Sequence, residues 1–157
     1  MNLDLRKQPS DSGAYSLVVF IEEKTKAVKI FSKSHEREQA KNVFNSEVKA
    51  YELASKDTGA SLITPTFFGK HSVEKIIDAN GNDITNQYFT DLVYILSYEI
   101  GLFLKYSVIP ETEQNLIKNT LKPLGINYLI DCSVSLTPNN KVSFVIDFAT
   151  EEFEIWA

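Results

Sequence analysis

Residues 27–31, AVKIF, and residues 35–55, HEREQAKNVFNSEVKAYELAS, decide how this chain is read. The first is a short apolar run with the flanks of a buried strand, and Lys29 is its only charge. In the second, Ala40, Val43, Phe44, Ala50, Tyr51 and Ala54 fall on one stripe at helical spacing, with Glu47 at its centre. A buried charge costs several kcal/mol unless it is paired, so two unlike charges aimed at one core predict each other as partners. The expectation is a Lys29–Glu47 ion pair. The competing reading sends Lys29 to solvent from an edge strand and places Glu47 on the rim of a narrower stripe.

Outward from this pair, composition narrows the class. The 157 residues are 43% hydrophobic and 24% charged, the balance of a globular chain. The expectation is one compact domain over 1–157, divided into 14–100 and 101–157. A single cysteine, Cys132, rules out an internal disulfide framework. Lys and Arg total 16 against 21 Asp and Glu, with no basic block, which argues against nucleic acid as a partner. His35 and His71 have no Cys or His at ligand spacing, so no structural zinc site is expected. The N-terminus lacks an apolar leader core, and no stretch approaches the roughly 18 apolar residues of a membrane span.

Along the chain, the first dozen residues are polar and read as loose. Residues 15–21 read as a strand, 23–26 as a tight turn and 27–31 as the returning strand. After the helix, 62–70 is an extended apolar segment, and 73–78 and 92–100 read as strands, with 87–91 unassigned. These five strands with one helix make an antiparallel α+β lobe, its sheet face of Val18, Phe20, Val28 and Ile30 needing a helix to cover it. In the second half, 101–106 reads as the start of a helix. Pro110 opens another, with Glu111 and Glu113 suited to its dipole and Gly125 closing it. Strands at 128–131 or a little beyond and at 142–148 end a mostly helical remnant.

Taken in order, these pieces resemble the protein kinase-like fold. They are AVKIF around Lys29, FNSEVKAYELA around Glu47, TPTFFGK at 64–70, LVYILSYEIG at 92–101, and LGINYLID followed by KVSFVIDF. The resemblance implies ATP and magnesium as cofactors. Lys29 would hold the α- and β-phosphates, Glu47 would fix Lys29, and Asp147 would bind magnesium. Tyr98, Glu99 and Ile100 would offer hinge backbone to adenine.

The chain departs from the family where chemistry is done. Only Gly13 stands ahead of the first hairpin, where the family has several phosphate-cradling glycines. In NYLIDCSVSL, residues 127–136, no His precedes Asp131 by two, and Leu136 holds the place of the metal-binding Asn. Ala149 follows Phe148 where the family usually has Gly, and only ten residues follow Asp147. The expectation is therefore a truncated, degenerate kinase-like domain, similar to minimal bacterial effector kinases, that works by binding a partner protein. It would sit in the cytoplasm or enter a host cell without a cleaved signal peptide. Two alternatives stand beside it. One is an active minimal kinase with Asp131 as a shifted catalytic base. The other is a small acidic α+β binding protein, such as an immunity protein or secretion chaperone, using Phe153, Ile155 and Trp156 as an interaction edge or as core closure.

Overall fold

The computed structural model describes residues 1–153. In chain order its elements are β1 (Asn2–Asp4), β2 (Ser10–Ser12), β3 (Ser16–Ile21), β4 (Lys26–Ser32), α1 (Arg37–Ser55), β5 (Phe67–His71) and β6 (Lys75–Ile77). They continue with β7 (Tyr88–Ser97), β8 (Phe103–Lys105), α2 (Glu111–Leu121), β9 (Ser133–Leu136) and β10 (Val142–Ile146). The architecture is α+β, with a five-stranded antiparallel sheet ordered β2-β3-β4-β7-β5. The chain divides into two compact units, one of residues 1–44 and 68–99, the other of 45–67 and 100–157.

In the first unit, cross-strand alignment assigns every side chain of the central strands to a face. Leu17, Ile30 and Val93 stand abreast, as do Val19, Val28 and Ile95, and all six are buried. Strand alternation then puts Val18, Phe20, Ala27 and Lys29 on the opposite face. Val28 and Ile30 are therefore covered by something other than the expected helix. Their cover is the pair β1–β6, whose Leu3 and Ile76 are 1% and 0% exposed and join the same cluster with Val73. The N-terminus is thus ordered rather than loose: β1 pairs in parallel with β6, and β2 extends the main sheet. On the opposite face Phe31 meets the Phe44 ring of α1 edge-on, and Phe44 lies against Tyr94.

Residues 87–91 lacked a clear pattern because the β4–β7 alignment jumps between Ile30–Val93 and Phe31–Phe89. That irregularity breaks the two-residue alternation by which strands are read.

In the second unit, a three-stranded antiparallel sheet ordered β10-β9-β8 accompanies α2 and the C-terminal part of α1. The segment 101–106, read as helical, instead supplies β8, because Phe103, Leu104 and Lys105 pair with Ser135, Val134 and Ser133. The strand expected from 128 to 131 or a little beyond starts later: 128–131 contributes one bridge, between Tyr128 and Ala149, and the paired strand runs over Ser133–Leu136. The unit is consequently less helical than its sequence indicated. Helix α2 follows Pro110 and carries Glu111 and Glu113 in its first turn. It passes into a 3-10 turn that ends at Gly125, whose φ of 92° is the left-handed conformation that favours glycine. Phe153 is half-buried, while Ile155 and Trp156 lie outside the described residues.

Candidate functional site

In the first unit, Lys29 lies on β4 between β3 and β7, so it belongs to an interior strand and not an edge. It is half-buried, aligned with Val18 on one side and Tyr94 on the other. Its ammonium stands 5.3, 5.4 and 5.9 Å from the rings of Tyr15, Phe31 and Tyr94. Such ring faces attract a cation and limit the directions its stem can take. One step along the same face, Phe20, Ala27 and Leu96 are aligned, and the Phe20 ring contacts Tyr98 at 4.6 Å. Lys29 thus borders an apolar platform made by Val18, Ala27 and Leu96.

Tyr98 and Glu99 follow β7 directly. The Tyr98 N–H donates to the Thr25 carbonyl at 2.8 Å, so this donor is already engaged within the unit. Glu99 is exposed, and the chain leaves the first unit immediately after it. Ile100, the first residue of the return, is 76% exposed.

In the second unit, Glu47 is 5% exposed and therefore lies inside the buried stripe of α1, not on its rim. Tyr51 is one turn further along the same face. The Asp147 N–H donates to the Tyr51 hydroxyl at 3.2 Å, and the Phe148 ring packs on Tyr51 at 4.5 Å. On its other side Tyr51 stacks with Phe67. The three rings hold the backbone at the end of β10 while the Asp147 side chain stays exposed. Asp147 also has φ 63°, a left-handed conformation uncommon outside glycine and concentrated at functional sites.

The residues after Asp147 are fastened as well. Ser46 Oγ accepts from the Glu151 N–H and lies 3.1 Å from the Thr150 hydroxyl, and Tyr128 exchanges backbone hydrogen bonds with Ala149. Asp131 is exposed and accepts a hydrogen bond from the Tyr128 hydroxyl. Between the two aspartates lies Cys132, which is fully buried. Burial, then the Asp147 carboxylate, pushes its thiol up to about 12, with Asp131 adding to the effect and Lys105 opposing it. A thiol so held stays protonated and is no nucleophile. The structure therefore brings Asp131 and Asp147 to one end of the β8–β9–β10 sheet.

The sequence does not mark Tyr51 as a site residue. In the sequence it is one apolar member of the α1 stripe, and nothing there reveals that its hydroxyl meets Asp147. Among the described residues no group of three or more His, Cys, Asp or Glu could hold a metal ion. No helix there is long and apolar enough to cross a membrane. No protein-family model matches the chain, and no curated protein matches it either.

Proposed function

We propose that this chain is a degenerate kinase-like protein that retains groups for holding a magnesium nucleotide and acts by binding a partner protein. The observation that carries this reading is Asp147. Its carboxylate is presented at a strand end, in a left-handed conformation, with its backbone anchored one helical turn from buried Glu47. An exposed carboxylate on a backbone so anchored suits an oxygen-seeking cation such as magnesium. Lys29, beside the platform of Val18, Ala27 and Leu96, suits a phosphate next to a flat base. These are binding groups.

The groups for transfer are deficient. Asp131 already accepts the Tyr128 hydroxyl, Leu136 cannot ligate a metal, and the glycines that would cradle phosphates are missing. Phosphoryl transfer depends on positioning, and losing it forfeits much of a contribution of roughly 7–11 kcal/mol. Large apolar side chains of the second unit stand exposed, among them Ile100, Leu102, Val108 and Ile130, and support a partner-binding role.

Turnover of ATP with saturating magnesium tests the impairment. The wild type should match Lys29→Met and Asp147→Asn at background. Turnover on the order of 1 per second in the wild type, abolished by both changes, would instead identify an active minimal kinase with Asp131 as base.

A further inference from the structure

We infer that Glu113 and Lys141 form a latch that selects the register of the β9–β10 hairpin and so sets how Asp147 is presented. The latch is a property of the hairpin and stands apart from the kinase-like reading.

Glu113 occupies the inward face of α2 with Ile117 and Leu121, one and two turns further on, and is 4% exposed. Its Oε1 is buried without a hydrogen bond. A carboxylate oxygen in that condition is costly and calls for a nearby cation. Lys141 Nζ stands 3.8 Å away, its own side chain largely in solvent. Lys141 is presented by a tight turn. The Thr137 N–H donates to the Lys141 carbonyl at 2.7 Å, the Lys141 N–H returns to Thr137 Oγ1 at 3.2 Å, and Asn140 takes φ 60°.

The strand begins immediately after this turn, and its alignment changes there. Val142 faces Leu136, yet Phe144 faces Ser135, so β10 carries one extra residue in a bulge next to Lys141. Losing that bulge would slide β10 by one residue and turn Asp147 to the other face of the sheet. The burial pattern opposes such a slip only weakly, because the adjacent residues Phe144 and Val145 are both buried although they point to opposite faces. In mid-strand the Val145 N–H donates to the Ile63 carbonyl at 2.7 Å, and a contact at each end of β10 adds to this hold on the register. Lys141 over Glu113 fixes the turn end, and the Asp147 N–H on Tyr51 fixes the far end.

Amide hydrogen exchange and the Asp147 amide resonance of the full chain test the latch in wild type, Lys141→Met, Lys141→Arg and the double variant Glu113→Gln/Lys141→Met. Lys141→Met should speed exchange in β9 and β10 about tenfold and move the Asp147 resonance, with β3, β4 and β7 unchanged. Lys141→Arg should behave as wild type. The double variant should return toward wild type, because no uncompensated buried charge remains. Wild-type exchange in Lys141→Met, equal loosening in Lys141→Arg, a uniform rise across both sheets, or a double variant as loose as Lys141→Met would each overturn the latch.

Discussion

Tyr51 does two jobs that separate by substitution. Tyr51→Phe keeps the ring against Phe148 and Phe67 and removes the acceptor of the Asp147 N–H, which should lower stability by about 1 kcal/mol in urea unfolding. Tyr51→Ala also empties the ring's place and should cost about 3–5 kcal/mol. Cys132 gives a prediction with a definite sign. Its folded pKa, about 12, lies above its ordinary 9.0, so the protonated thiol is favoured by folding. Its contribution is fully present below pH 9 and is lost as pH rises toward 12. A thiol reagent at pH 8 should leave the folded protein unmodified and react when it is unfolded; rapid labelling of the folded chain would contradict this burial. Glu47 and Lys29 were legible in the sequence because each is a charge inside an apolar pattern. Tyr51 was not, because a core tyrosine and one whose hydroxyl holds a neighbouring strand have the same spacing.

At the scale of elements, the β3–β4 turn is conformationally expensive. Glu22, Glu23 and Lys24 take φ of 51°, 57° and 64°, a left-handed run that side chains resist. Glu23→Gly should raise stability by about 1 kcal/mol, read as a higher urea midpoint, and an unchanged or lower midpoint would contradict the strain. Strand β1 covers the second sheet face almost entirely through Leu3, so Leu3→Ala should cost about 2–5 kcal/mol. Helix α1 and the β3–β4 hairpin were readable because long periodic segments carry their own pattern. Strands β1, β2 and β8 were not. Each has three residues, too few to show a period; β1 and β8 pair with partners distant in sequence, as when Leu3 aligns with Ile76, and β2 is all polar and exposed although its partner β3 is the next strand. The N-terminal polarity that read as looseness belongs to residues that pair by backbone with β6 and β3 and bond to one another, as Arg6 and Gln8 do with Asp4.

For the whole molecule, the fold class followed from element types and order, whereas the function rests on a few residues whose surroundings no periodicity reports. Asp147 shows the limit: its place after a strand was readable, but its left-handed backbone and its anchorage to Tyr51 were not. The proposed function requires that the chain bind nucleotide with magnesium, whatever its capacity for transfer. Thermal unfolding during a titration with magnesium and ATP measures this directly, since ligand at 100 times its dissociation constant stabilises the folded state by about 2.7 kcal/mol. The account predicts a rise of several degrees in the wild type, absent in Lys29→Met and reduced in Asp147→Asn. An unfolding temperature unmoved by millimolar magnesium ATP, or a rise equal in all three proteins, would contradict it.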